Sequence, residues 1–175
     1  MSIDVQDFVA RVRSVVGESA TPIGLHEPEL GEIEKQYLNE VIDSTFVSSV
    51  GAFIPQFEQR IQEITGAKHA IAASNGTSAL HIALYVAGVM PGDEVIVPTL
   101  SFVATANAVA HAGAVPHFID SELGTMGMSP EKLRECLATL KREGSNWVNP
   151  ATGARVAAIS PMHTLGHPVL SLIHI

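Results

Sequence analysis

From Val5 to Val16 apolar and polar residues recur at helical spacing, and Glu32 to Ile42 repeats the pattern with Ile33, Tyr37, Leu38 and Val41 on one side. Both stretches predict helices. Between them, Gly17 to Gly31 contains Gly, Pro and Ser, the composition of a connecting segment. From Phe53 the pattern predicts a helix to about Thr65, a strand over His69–Ala73, a helix from Thr77 to Val86 and a strand over Glu94–Val97. A helix from Phe102 to His111, a strand over Val115–Ile119, a helix over Pro130–Leu140 and a strand over Val156–Ser160 follow. The Ile54, Phe57, Ile61 and Ile64 spacing predicts a core-facing helical stripe. Strands alternating with helices of this length imply parallel βαβ units on a central sheet, so the expected class is α/β. With no internal repeat and no second composition regime, one domain is expected over residues 52–169. An arm and loop over 1–51 precede it.

In open sheets of this kind ligands gather at the carboxyl ends of strands, where this reading puts Gly76, Thr77, Phe102, Asp120 and His163. The stretch Ser74-Asn75-Gly76-Thr77-Ser78-Ala79-Leu80 joins a predicted strand to an apolar helix anchored by Leu80, Ala83 and Leu84. Free N–H groups and the positive end of a helix dipole meet at such a junction, and Gly76, Thr77 and Ser78 together suit a phosphate. The same cluster also suits a plain N-cap. Asp120 closes a strand as a ribose-binding acid would, but no GxGxxG precedes it, which favours a turn or cap role over a dinucleotide-binding domain. His163 and His167 are separated by Gly166 and followed by Pro168, a turn pattern rather than a metal-bearing helix, and no metal site is expected.

Charge and cysteine content narrow the partners. A formal net charge of −8, with ten scattered Lys and Arg residues, argues against a nucleic-acid face. Local N–H groups can still hold an anion in an acidic protein. The 46% hydrophobic content fits a packed core. The one cysteine, Cys136, excludes an intrachain disulfide framework and reads as a small apolar-like helix residue. No apolar run reaches about 18 residues and the N-terminus carries Asp4 and Asp7, so neither a membrane span nor a leader is expected and a cytoplasmic location is.

The order of several separated blocks resembles one family. Phe53-Ile54-Pro55-Gln56-Phe57-Glu58, Thr65-Gly66-Ala67-Lys68-His69-Ala70, the Ser74 block, Gly92-Asp93-Glu94-Val95-Ile96-Val97-Pro98 with the run from Thr99 to Ala108, and Pro161-Met162-His163-Thr164-Leu165-Gly166-His167-Pro168 are similar to the DegT/StrS sugar aminotransferases. Leu25-His26-Glu27-Pro28 and the run from Ile42 to Gly51 are closest to the LegC-like branch. The resemblance covers roughly residues 23 to 169 and implies a truncated fold-type I large domain that uses pyridoxal phosphate. It implies an amino transfer, with glutamate as donor, to a nucleotide-linked 4-keto-6-deoxy sugar for surface glycans, in a homodimer. A dehydratase of the same fold, a non-catalytic fragment and a nucleotide-binding domain are the alternatives.

By the resemblance, Gly76, Thr77 and Ser78 grip the cofactor phosphate and Phe102 stacks on its ring, against a plain core-aromatic role for Phe102. Thr105 and Asn107 in the same block either face the cofactor or cap local backbone. Thr45, Phe46, Ser48, Ser49 and Gly51 form the substrate side, or an ordinary loop. His163 lines the site or shapes its loop. The family's Schiff-base lysine and its pyridine-pairing aspartate have no counterpart here, because Lys35, Lys68, Lys132 and Lys141 stand in unrelated contexts. The likeness breaks after Val169, and residues 170–175 read as a frame change or a foreign end. The expectation is an inactive front part of a longer enzyme.

Overall fold

Five consecutive residues, Glu94 to Pro98, are buried on both sides, and this strand organises the molecule. The structure, a computed structural model, describes residues 4–19, 22–24 and 28–169. Residues 25–27 of the resemblance and the tail 170–175 lie outside them. The chain divides into two units, Met1–Gln56 and Phe57–Ile175.

In the first unit, helix α1 (Val5–Val16) starts where Asp4 Oδ1 accepts the Gln6 N–H at 2.9 Å. Helix α2 (Glu32–Ser44) starts where the Glu34 carboxylate accepts the Gly31 N–H at 2.6 Å. Caps of this kind satisfy N–H groups that the helix cannot. Tyr37 meets Phe53 edge to face, ring centres 5.5 Å apart. The apolar faces stay open: Ile33, Tyr37 and Leu38 are all exposed.

Helix α3 (Phe53–Thr65) matches its predicted range, but its stripe is not core. Ile54, Phe57 and Ile64 are exposed and only Ile61 is half-buried, because no described element covers that face. Helix α4 (Gly76–Val86), strand β1 (Glu94–Pro98), helix α5 (Val103–His111), strand β2 (Val115–Ile119) and helix α6 (Pro130–Thr139) follow. A short hairpin, β3 (Lys141–Glu143) with β4 (Asn146–Val148), precedes strand β5 (Val156–Ile159). The sheet order is β2-β1-β5, all parallel.

Side chains of a strand alternate between faces, and β1 uses both. Val95 and Val97 join Leu84, Val89, Ala108, Val109 and Ala114 beneath α4 and α5, whereas Ile96 joins Ile119, Met128, Leu133 and Val169 beneath α6. Helices thus cover both faces of a parallel sheet, the α/β architecture expected. Leu80 and Leu84 anchor α4 as predicted, but Ala83 is exposed. A Cβ on Gly127 would sit 2.6 Å from Val169 Cγ2, so only glycine fits there. Beside the outer edge of β5 is an apolar cleft of about 430 Å³ walled by Leu137, Leu140 and Trp147.

One predicted strand does not form. His69–Ala73 has no strand partner among the described residues, and Ile71 is exposed. Strand geometry persists only where neighbouring backbone pairs with it; the Ala72 N–H instead donates to Glu58 Oε1 at 2.8 Å.

Candidate functional site

The loops leaving the carboxyl ends of β1, β2 and β5 are tied to one another. The Thr99 N–H donates to Ile119 O at 2.9 Å and the Leu100 N–H to Ser121 Oγ at 3.3 Å, joining the ends of β1 and β2. From the segment after β5, Met162 Sδ lies 3.0 Å from Ser101 Oγ and 3.4 Å from the Phe102 nitrogen. Phe102 is the N-cap residue of α5 rather than its first helical residue, in extended conformation, with its ring exposed. The exposed ring is therefore not a core aromatic.

Thr105 is buried in the first turn of α5, and its hydroxyl lies 2.7 Å from Ser101 Oγ. Asn107 is two residues further on, about 200° around the helix, and exposed. The two therefore lie on different sides of α5. Asp120 holds its own turn, with Oδ1 accepting the Ser121 N–H at 2.8 Å.

At the start of α4, Asn75 is the N-cap and its Oδ1 accepts the Ser78 N–H at 2.8 Å. Ser78 is thereby engaged. The Gly76 and Thr77 N–H groups have no acceptor among the described residues, and a Cβ on Gly76 would meet nothing within 4 Å. Open space and two unclaimed N–H groups at a helix N-terminus suit a phosphate. No hydrogen bond among the described residues joins this corner to Phe102 or His163.

After β5, His163 precedes a single 3-10 turn over Thr164–Gly166, and His163 Nδ1 accepts the Val169 N–H at 3.0 Å. That bond closes the loop and leaves Nε2 as the protonated nitrogen. Leu165 is held at φ 52°, a conformation costing roughly 1–2 kcal/mol for a residue with a Cβ. Buried Thr164 donates from Oγ1 to Met126 O at 3.1 Å, and Met126 is itself left-handed at φ 59°. Two loops with left-handed residues are thus pinned together beside the strand ends.

In the first unit, Thr45 is the left-handed C-cap of α2, and Ser48 Oγ accepts the Val50 N–H at 3.4 Å. Ser48 shapes its own turn. Ser49 is exposed in the same turn.

The amino end of β1 carries a different arrangement. Glu94, 4% exposed, accepts from Asn149 Nδ2 at 2.9 Å, Thr152 Oγ1 at 2.6 Å and His117 Nδ1 at 2.9 Å. Burial pushes its carboxyl up, but the Thr152, Asn149 and His117 hydrogen bonds outweigh burial and hold it below the usual glutamate value. Cys136 Sγ lies 3.6 Å from His117 Nε2, and burial, then the Glu94 charge, pushes its thiol up. Next to Glu94, Asp93 is gripped through two oxygens by Arg155, which keeps its carboxyl low. These networks fasten the sheet at the end remote from the strand-end loops.

Sequence reasoning missed Ser101 and Met162. Ser101 stood in the same block as Phe102, but nothing local signalled that a methionine 61 residues away would meet it.

The DegT/DnrJ/EryC1/StrS aminotransferase family model matches residues 28–173. The chain is 42% identical over 144 residues to the GDP-perosamine synthase of Caulobacter vibrioides, covering 82% of this chain and 35% of that protein. It is 38% identical over 146 residues to the GDP-perosamine synthase of Escherichia coli O157:H7, covering 83% of this chain and 36% of that one. The crystal structure of a DegT DnrJ EryC1 StrS aminotransferase from Brucella abortus superposes with a TM-score of 0.67 at 26% identity, over 97% of this chain and 38% of that one. The chain spans little more than a third of the length of these relatives. On the match of the family model across most of its length, the chain belongs to the DegT/DnrJ/EryC1/StrS aminotransferase family.

Proposed function

We propose that the protein, at the full length of its relatives, is a pyridoxal phosphate-dependent aminotransferase that aminates a nucleotide-linked 4-keto-6-deoxy sugar with glutamate as donor, working as a cytoplasmic homodimer. The observation that carries the cofactor is the α4 N-terminus, where the Gly76 and Thr77 N–H groups have no acceptor among the described residues and a Cβ on Gly76 would meet nothing within 4 Å. The likeness to two GDP-perosamine synthases supports a nucleotide-linked sugar as substrate. The LegC-like pattern before Gly51 supports the same substrate class.

Gly76 and Thr77 bind the phosphate through their N–H groups, and the α4 dipole favours its negative charge. Asn75 caps the first turn by accepting the Ser78 N–H. The exposed Phe102 ring covers a planar face and excludes water from it. His163, fixed through Nδ1, presents an N–H at Nε2 to the site. When bound, pyridoxal phosphate supplies an electron sink and a store for the amino group. The roles of Thr45, Ser48 and Ser49 are on the substrate side, where hydroxyls suit a sugar.

Lys35 and Lys132 are each paired with a glutamate on their own helix, and by the resemblance the Schiff-base lysine has no counterpart among Lys35, Lys68, Lys132 and Lys141. Residues 1–175 alone are therefore expected to turn over no substrate. The test is titration with pyridoxal phosphate and with unphosphorylated pyridoxal, followed by glutamate and a nucleotide-linked keto sugar assayed with the full-length protein. Tighter binding of the phosphorylated form and appearance of an amino sugar support the reading. Equal binding of the two vitamers, or loss of a sugar hydroxyl without amination, overturns it.

A further inference from the structure

The contact between the β1 and β5 loops runs through an unusual acceptor. Ser101 Oγ lies 2.7 Å from Thr105 Oγ1 and 3.0 Å from Met162 Sδ. A hydroxyl carries one hydrogen, so Ser101 donates to only one of them. Buried Thr105 has no other acceptor for its hydroxyl among the described residues, which makes Thr105 the donor to Ser101. Ser101 then donates to Met162. The Phe102 N–H, the first N–H outside α5, points to the same sulfur at 3.4 Å. One thioether thus ends a chain that starts in α5 and also holds the backbone of the residue that begins the helix.

We propose that Met162 is a positioning residue: its sulfur anchors Ser101 and the Phe102 backbone, and so fixes the direction in which the exposed Phe102 ring faces a planar ligand. What the ring faces rests on the cofactor reading above; the anchoring does not. An aliphatic residue of the same size fills the space but accepts nothing. The Phe102 N–H and the Ser101 hydroxyl would then be left to water.

The experiment compares Met162→Leu and Met162→Gln with the natural protein by amide hydrogen exchange and by pyridoxal phosphate titration. In the leucine variant the Phe102 amide exchanges about five-fold faster, the effect of losing one modest hydrogen bond, while Val109 in the core of α5 keeps its rate. Glutamine, whose side-chain oxygen accepts at a similar reach, restores the slow rate. Pyridoxal phosphate affinity falls by about three-fold in Met162→Leu and not further when Phe102→Ala is added, because the sulfur acts through the ring. An unchanged Phe102 exchange rate overturns the inference whatever the cofactor does. Faster exchange at Val109 and Phe102 alike also overturns it, since the loss is then global. If exchange responds but Phe102→Ala leaves the affinity intact, the anchor stands, the cofactor role of the ring fails, and the ligand half of the inference falls with it.

Discussion

Replacing Glu94 tests whether the amino end of the sheet is held by a buried carboxylate. Glu94→Gln keeps the shape and removes the charge. Three donors reach the natural side chain, and hydrogen bonds to an ionised acceptor exceed neutral ones by about 1 kcal/mol each. Glutamine retains part of this, since its oxygen accepts from Asn149 and His117 while Thr152 turns to accept from the new NH₂. It also escapes the cost of burying a charge. The net loss is therefore about 1–2 kcal/mol, or about 0.5–1 M in the urea midpoint, followed by circular dichroism at pH 7. Glu94→Ala leaves three donors without a partner and loses more. The folded carboxyl titrates below its ordinary value, so the stability it gives is complete above that value and is lost as the pH falls through the lowered one. His117 on β2, Cys136 on α6 and the neighbouring Asp93–Arg155 pair are the titratable and charged groups nearby. The gap between the natural protein and Glu94→Gln narrows at pH 3. A gap that is absent at pH 7, or unchanged at pH 3, would refute the reasoning.

Gly127→Ala drives a methyl into Val169 and is expected to cost about 1–3 kcal/mol by urea unfolding, with Val169→Ala restoring part of it; a neutral Gly127→Ala contradicts the packing. Asn75→Ala removes the α4 cap at a cost of about 1 kcal/mol and weakens phosphate binding, checked by unfolding and by pyridoxal phosphate titration. Cys136, its thiol raised by burial and by Glu94, reacts with iodoacetamide at pH 7 several times more slowly in the folded chain than in urea; equal rates show that the thiol is open.

The helices and the sheet were legible where periodicity is a property of the local chain. The ranges of α1, α3 and β2 match the pattern, and β1 reads as a continuous apolar run because helices cover both of its faces. His69–Ala73 misled for the opposite reason. Its residues favour a strand, yet a strand also needs a neighbour, which composition does not encode. The apolar stripe of α3 failed in the same way, since spacing shows which side is apolar but not whether anything lies against it. The hairpin over Lys141–Val148 was missed because three-residue strands around Gly144-Ser145 are too short to show a period.

Site legibility divides along the sheet. The proposed site residues Gly76, Thr77 and Phe102 announce themselves because N–H groups, small side chains and an aromatic in a loop are local features. The residues that aim them do not. Met162 looks like a gap-filler in sequence, and only the meeting of the β1 and β5 loops makes its sulfur an acceptor for Phe102. At the amino end, Glu94 follows Asp93 as though both were turn residues, yet their side chains separate to Arg155 and to Asn149, Thr152 and His117. Asp93 immediately precedes β1 and Glu94 opens it, so two adjacent acids at the amino end of the central strand reach different partners. Buried charges then fix the register at one end, and this leaves the loops of the other end free to carry strained residues such as Leu165 and Met126.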